Sequence, residues 1–556
     1  MKKRLCAIFA LLLALTFVFS SSQVYAAYKT GDTIIGRKIT SAEVKTLTDG
    51  LIYNKFSYTD SRGKAQTIYT TEYNPASANL RSIAYHKKTS FPVSVYDDAV
   101  SAQSKGMKVY AALNADFFYT DKDYGTVYTM YATDGKITVS ACRWCEDFVL
   151  AVSPDGSMHV TESKISYGLT INGSSFTKQL YYINKRLSSD NLASTDARIY
   201  YFDKDIGDSK NPVSDCKEIY VTYTSGKLAP GQSLKGKVKA IKSSGGSSIS
   251  GNDFILACRN VDISSVKVGD EVVLSTTEGV SASRNIVEKA VTLVASRYVL
   301  VHNGVDRWEG GSAAGKERLV HSETDNRWSQ YCQRAIVGIK ADGTVVYMAC
   351  DGRNNGNGLN YTQIVELMMG MGCTEVVNYD GGGSVCMVTG DGNGNFTTRY
   401  TGESPARSIG NTLLIIEDNN RPEDPIAVNS SAYGIIKDGM LTNAKLGMLT
   451  STLRGGFNLD VTIKSHDGTI LSNSIVIATG MVVCTRQQSL TVVVPGDVSG
   501  TGKIRVTDYL MAKRIVQGTY NPAAAYKLAA DIDEDGKYTA TDYENIKLYF
   551  KGQKNF

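Results

Sequence analysis

The 556-residue chain has few histidines, few tryptophans and no strong charge of either sign. Its five histidines are not clustered, which leaves no histidine-based metal centre to propose. Ten cysteines are scattered, and nine remain if Cys6 is removed with the N-terminus. An odd, dispersed set in a chain this long is not a disulfide framework. The lone C-x-x-C at Cys142 and Cys145 lacks the second motif that zinc or redox chemistry needs, and reads as a local disulfide or as buried free thiols. Lys and Arg number 60 against 55 Asp and Glu, a net +5. Without Lys2, Lys3 and Arg4 this falls to about +2, so no global field points to nucleic acid. The phosphate loop GxxxxGK[ST] is missing. Beyond residue 26 no apolar run is long enough to span a bilayer, so no membrane span is expected in the mature chain.

What is present begins with an export signal. Lys2, Lys3 and Arg4 precede an apolar stretch from Leu5 to Phe19, and Val24 and Ala26 stand at small-residue cleavage positions. Cleavage after Ala26 and secretion, extracellular or attached to a bacterial cell surface, are expected. The length implies two to four domains. Tyr is abundant, at 33 against 15 Phe, which suits polar ligands such as sugars. Residues 27–104 form a β-rich region. From 105 the runs "KEIYVTYTSG", "GKVKAI", "DFILACR", "DEVVLST" and "ASRYVLVHNG" alternate as strands do. "RAIVGIKADGTVVYMACDGR" predicts a hairpin turning at Asp342-Gly343, and "LNYTQIVELMMGMGC" a helix capped by Asn360 and Gln363. Ile364, Leu367, Met368 and Met371 share one face of that helix. The polar stretch 417–431 reads as a boundary. The expected architecture is an α+β mixed-sheet domain over 105–418 with a βαβ core, a small β module over 430–494, and an all-α calcium-binding unit over 496–552.

That last unit contains a duplication. "DVSGTGKIRVTDYLMAKRI" and "DIDEDGKYTATDYENIKLY" each place Asp at loop position 1, Gly at 6 and Thr-Asp-Tyr at 11–13. Oxygen side chains at 1, 3, 5 and 12 around a glycine turn suit Ca²⁺, which takes six to eight oxygen ligands. The second copy supplies Asp531, Asp533, Asp535 and Asp542, with the Lys537 carbonyl at position 7. The first supplies Asp497, Ser499, Thr501 and Asp508, with the Lys503 carbonyl. Its neutral oxygens predict weaker binding. The pattern resembles a type I dockerin. The resemblance implies a cohesin domain on a scaffold protein as partner, contacted through Val506, Thr507, Lys513, Arg514, Ala540 and Thr541. The 432–494 segment resembles the small β module that often precedes dockerins.

The remaining motif is "EVVNYDGGGSVCMV". A strand–helix–strand unit of this length predicts a parallel pair, placing Asp351 and Asp380 at one sheet edge, where ligands of α/β sheets bind. A third strand, "KVYAAL", would add Asn114 and Asp116 if it joined in parallel. Gly381, Gly382, Gly383 and Ser384 free backbone N–H groups for an anionic or sugar ligand. Arg334, Arg353 and Arg407 could neutralise a phosphate. "ELMMGMGCTEVVNYDGGGSVCMV", "PARSIGNTLLII" and "LNADFF" look like the phosphodiester glycosidase family, that of N-acetylglucosamine-1-phosphodiester α-N-acetylglucosaminidase, over 105–417. The family has Asn-Gly-Gly-Phe-Phe where this chain has Asn114-Ala115-Asp116-Phe117-Phe118.

The resemblance implies hydrolysis of a glycosyl-1-phosphate diester, in a phosphoglycan or glycosyl-phosphate polymer, at the sugar C1–O bond. Asp351 and Asp380 would share activation of water, stabilisation of an oxocarbenium-like carbon, acid catalysis or the holding of a metal. Arg353 and Arg407 would stabilise the leaving phosphate. Asn114, Asn378 and Ser384 would bond sugar hydroxyls or an N-acetyl group, and Asn411 belongs to the motif's downstream Arg and Asn. Two other readings are a non-catalytic glycan-binding module on the same dockerin, and a metal-dependent phosphodiesterase releasing a sugar phosphate.

Overall fold

The computed structural model describes residues 27–119, 126–141, 148–173, 175–187, 193–296, 298–308, 330–352, 357–418, 425–459, 461–485 and 488–554. The expected export signal, the Cys142–Cys145 pair and Arg353 lie outside the described residues. The chain divides into two compact units with a boundary after 421, inside the stretch read as a linker.

The first unit is mostly β-sheet. A nine-stranded sheet takes the hairpin Arg334–Lys340 and Val345–Cys350 as its centre. Gly343, at φ +84°, makes the turn that Asp342 fastens by accepting from the Thr344 N–H at 2.9 Å. Strands Arg37–Thr48, Leu51–Thr59 and Ala65–Tyr73 extend this sheet on one side, so the 27–104 region supplies part of it. Cys373–Asn378 and Tyr298–His302 extend it on the other.

The expected parallel pair is not formed. Val345–Cys350 and Cys373–Asn378 do run in the same direction, but Arg334–Lys340 lies between them and pairs antiparallel with both. The hairpin's first strand fills the slot that a βαβ unit would have closed. The connecting helix Tyr361–Gly370 therefore crosses two strand spacings, about 10 Å, which is about one helix diameter. Its start carries the full capping box of Asn360 and Gln363. "KVYAAL" does not join this sheet either. Val109–Asn114 is the middle strand of a second, five-stranded antiparallel sheet, between Cys386–Gly390 and Thr412–Glu417.

Alternation along the central strands explains how the layers stack. Ile336, Val346, Met348 and Val376 face the helix, against Ile364, Leu367 and Met368. Ala335, Val337, Tyr347 and Val377 face the second sheet, against Leu113, Met387 and Leu413. Both faces are dry, so these strands read as unbroken apolar runs. The far face of the second sheet, with Ala112, Val388 and Leu414, is covered by Val95, Ala99 and Ala102 of helix Val95–Ser104. The order is helix, sheet, sheet, helix. An eight-stranded sheet built from Lys217–Gly226, Ser233–Lys242, Phe254–Arg259, Glu271–Glu278 and neighbours packs on a further five-stranded sheet. Cys258, Cys350, Cys373 and Cys386 are buried thiols, each pushed up to about 12 by desolvation.

Helix Val95–Ser104 is fixed by a buried ion pair. His86 Nδ1 lies 2.9 Å from Asp98 Oδ2, and its Nε2 lies 2.6 Å from the Phe91 carbonyl. Two acceptors require an imidazolium that donates from both nitrogens. Burial alone would lower the His86 pKa, but the Asp98 carboxylate outweighs it and raises it. A raised folded value means the pair's full contribution is present below the unfolded value of about 6.5 and is lost as pH climbs through the folded value. The thermal midpoint of the first unit should fall as pH rises above about 6.5 and through the folded value, and Asp98→Asn should flatten the fall; a flat wild-type profile would refute the assignment.

The second unit holds a five-stranded sheet of short strands, Ile435–Lys437 through Ser489–Val492, and helices Val506–Val516, Ala524–Leu528 and Ala540–Phe550. The first and last helices pack through Tyr509, Tyr543 and Phe550.

Candidate active site

Four chain segments meet at the edge where Val345–Cys350 and Cys373–Asn378 end. Asp351 follows Val345–Cys350, and Asp380 follows Cys373–Asn378. The middle strand begins beside both, since Arg334 pairs with Cys350 and Ile336 with Asn378. From the second sheet, the end of Val109–Asn114 reaches the same place. The Asp380 N–H donates to the Ala115 carbonyl at 2.9 Å, and Asn114 Nδ2 donates to the Asp380 carbonyl at 2.7 Å. The Asp380 peptide is thus clamped on both sides, while its residue is only half-buried. The strand ends meet here through two antiparallel sheets, not through the expected parallel pair.

The glycines answer to close neighbours. The Gly382 N–H donates to the Gln333 carbonyl at 3.0 Å, with Gly382 at φ +63°. A Cβ on Gly381 would lie 2.9 Å from the Gln333 carbonyl oxygen. A Cβ on Gly383 would collide with the Glu403 carboxylate and lie 2.5 Å from Arg407 Nη2. Arg407 and Glu403 form a forked pair, Nε to Oε1 at 3.1 Å and Nη2 to Oε2 at 2.7 Å, and both side chains are about one-third exposed. Arg407 Nη1 also lies 3.5 Å from Ser384 Oγ. Three of its five N–H donors are therefore spent inside the protein. The triple glycine lets an arginine–glutamate pair lie flat on the backbone.

Asp351 is oriented from the second sheet. Its Oδ1 accepts from the Gly352 N–H at 2.7 Å and from the Tyr400 hydroxyl at 3.1 Å. Burial, and then the Asp351 charge, push the Tyr400 hydroxyl pKa up, which keeps it a donor. Gln333 Nε2 donates to the Gly402 carbonyl at 3.2 Å, tying the Tyr400 strand to the glycine loop. Gln333, Tyr400 and Glu403 were not found from sequence. They sit in no recognisable motif, and only the packing of the second sheet on the first brings them here.

Several expected binding residues turn inward. Asn114 is fully buried and also accepts from the Cys386 N–H at 3.0 Å. Asn378 Nδ2 donates to the Tyr361 hydroxyl and to the Tyr379 carbonyl. Asn411 Oδ1 accepts from the Asp116 N–H at 2.8 Å. Arg334 is buried, donates to the Leu359 and Gln330 carbonyls, and lies with its guanidinium 4.5 Å from the Tyr361 ring centre. Ser384 is buried beneath Arg407. Asp116 is buried and accepts from the Thr129 N–H and hydroxyl at 2.7 and 2.8 Å. Desolvation pushes its carboxyl up to about 7, against those bonds and the Lys185 charge.

Four buried polar atoms around this edge have no partner among the described residues: Gln333 Oε1, Asn378 Oδ1, Tyr379 Oη and Asn411 Nδ2. Each costs about 1–3 kcal/mol, and native proteins carry few of them.

In the second unit the carboxylates of Asp531, Asp533 and Asp535 lie within 4.8 Å of one another. Val506, Thr507, Arg514, Ala540 and Thr541 are exposed and Lys513 is half-buried, all on the two long helices. Among the described residues no helix is long and apolar enough to cross a membrane.

Residues 238–416 match the phosphodiester glycosidase family, and residues 495–551 match the type I dockerin domain. The first match contains Asp351, Asp380, Arg407 and Asn411 but begins after Asn114 and Asp116, so it is shorter than the likeness read from sequence. No curated protein sequence matches the chain. Solved structures are similar to the chain at low identity. A hypothetical protein from Synechocystis is 16% identical with a TM-score of 0.50, over 68% of this chain and 64% of its own. A protein of Burkholderia pseudomallei described as exported is 13% identical with a TM-score of 0.53, over 71% of this chain and 100% of its own. The zebrafish N-acetylglucosamine-1-phosphodiester alpha-N-acetylglucosaminidase catalytic domain is 14% identical with a TM-score of 0.33, over 68% of this chain and 87% of its own. The chain thus spans less than two-thirds, 64%, of the first of these. Its residues 238–416 are similar to phosphodiester glycosidases and its residues 495–551 to type I dockerins.

Proposed function

We propose that the first unit hydrolyses glycosyl-1-phosphate diesters at the sugar C1–O bond, and that the dockerin carries it, secreted, to a cohesin-bearing scaffold. The observation behind this reading is the meeting of Asp351, Asp380 and Arg407 at one sheet edge, backed by unpartnered buried polar atoms. A phosphate monoester leaves readily as an anion, so stabilising its charge matters more than protonating it. Arg407 is suited to that task, because Glu403 and Ser384 fix its orientation and its remaining donors point away from them. One carboxylate then directs water at C1, or stabilises the positive carbon, and the other assists. Asp380 is the better candidate for the direct role, since its peptide is clamped while the residue stays half-exposed. Asn114, Asn378 and Asn411 hold the loop in place by bonding its backbone and neighbours.

The test is product analysis. The full chain is incubated with an α-GlcNAc-1-phosphate diester in H₂¹⁸O and the products are weighed by mass spectrometry. Free GlcNAc carrying the label, with an unlabelled phosphomonoester, is the expected result. Label in the phosphate, or release of a sugar phosphate, would assign a phosphodiesterase instead. Retention of glycans without any product would assign a binding module.

A further inference from the structure

The two calcium-type loops differ in what their aspartates touch. In the second loop, Asp531 Oδ2 accepts from the Gly536 N–H at 2.9 Å. Asp531 Oδ1 has no partner among the described residues, although the residue is only 5% exposed. A buried carboxylate oxygen left bare, within 4.8 Å of two further carboxylates, fits a cation that bonds through oxygen. Nothing lies within 4 Å of a Cβ built on Gly536, and the loop meets the β module through the Glu534 side chain, which accepts from Asn443 Nδ2 at 2.9 Å.

The first loop has no such oxygen. Asp497 Oδ1 accepts from the Thr501 N–H at 2.8 Å, and Oδ2 accepts from the Gly502 N–H at 3.0 Å. Oδ2 takes a second bond, at 2.9 Å, from the Thr479 N–H, which belongs to the small β module. Asp497 is fully buried. The positions that should add ligands bond to one another: Ser499 Oγ lies 3.3 Å from Thr501 Oγ1, which donates to the Lys503 carbonyl at 3.1 Å. The loop backbone lies against the module, since Cβ atoms on Gly500 and Gly502 would come within 2.8 Å of the Thr479 carbonyl and 2.9 Å of the Ile477 carbonyl. Thr479 is itself locked, its hydroxyl accepting from the Val494 N–H at 3.0 Å and donating to the Val494 carbonyl at 3.2 Å.

We propose that the chain binds one Ca²⁺, in the second loop, and that the first loop is a metal-free strut in which the Thr501 N–H takes the aspartate oxygen that the second loop leaves bare, while the Thr479 N–H of the β module holds the other. The duplication predicts two sites, the first the weaker; the structure assigns them different partners. The β module then acts as part of the dockerin fold.

Calcium bound by the full chain at equilibrium with millimolar Ca²⁺, measured by atomic emission against the dialysate, decides this. One Ca²⁺ per chain is expected in the wild type. Asp531→Asn should bring it to none. The mild double variant Ser499→Ala/Thr501→Ala, at the first loop's ligand positions, should leave both the single equivalent and its affinity unchanged. Two equivalents in the wild type, or a loss of calcium in the double variant, would overturn the proposal, as would no calcium at all. None of these outcomes depends on the hydrolase reading of the first unit.

Discussion

Asp380→Asn should lower turnover of a glycosyl phosphodiester by about 10³-fold while leaving the thermal midpoint within a degree or two of wild type. Backbone bonds to the Ala115 carbonyl and from Asn114 Nδ2 hold Asp380, and the substitution does not touch these two. The loop therefore keeps its place and the loss is chemical. Positioned acid–base groups contribute about 10²–10⁴-fold, and a carboxylate that stabilises a cationic carbon sits toward the upper end. Asp351→Asn should cost less. An amide oxygen there can still accept from Tyr400 and from the Gly352 N–H, and a phosphate leaving group needs little help from an acid. The gap between the two variants should narrow for substrates whose phosphate is a poorer leaving group. Steady-state kcat and a thermal scan on each variant give the comparison. Losses below tenfold in both would remove carboxylate catalysis from this edge.

Local features were legible in the sequence and long-range ones were not. The Asn360 cap and the Asp342-Gly343 turn depend on residues close together in the chain, and both appear where the pattern put them. The common edge for Asp351 and Asp380 was reached by the wrong topology. Periodicity identifies strands but does not say which strand fills a slot, and Arg334–Lys340 took the place between two strands expected to pair. Inward-turned asparagines were unreadable for a related reason. An amide beside a glycine loop looks the same in sequence whether it faces a sugar or, like Asn114, a backbone carbonyl. The duplication, likewise, shows two loops and cannot show that Thr479 lies against one of them.

Gly383→Ala should lower kcat by about 10²-fold at a stability cost under about 1 kcal/mol, a separation that few loop substitutions produce. The added methyl meets Glu403 and Arg407 side chains, not backbone, and both are about one-third exposed and can swing outward. Swinging is cheap for the fold but moves the guanidinium off the loop and away from Ser384. Misplacing a charge-stabilising group by about 1 Å costs on the order of 10²-fold. Gly381→Ala makes the contrast, because its methyl meets the Gln333 carbonyl, which cannot move without the sheet edge; it should lose stability and activity together. If Gly383 acts through Arg407, then Gly383→Ala and Arg407→Ala share one mechanism and their effects cannot add. The double variant should be no slower than Arg407→Ala alone. Full additivity in kcat would separate the glycine from the arginine, and an active Gly383→Ala enzyme would take Arg407 out of the chemistry.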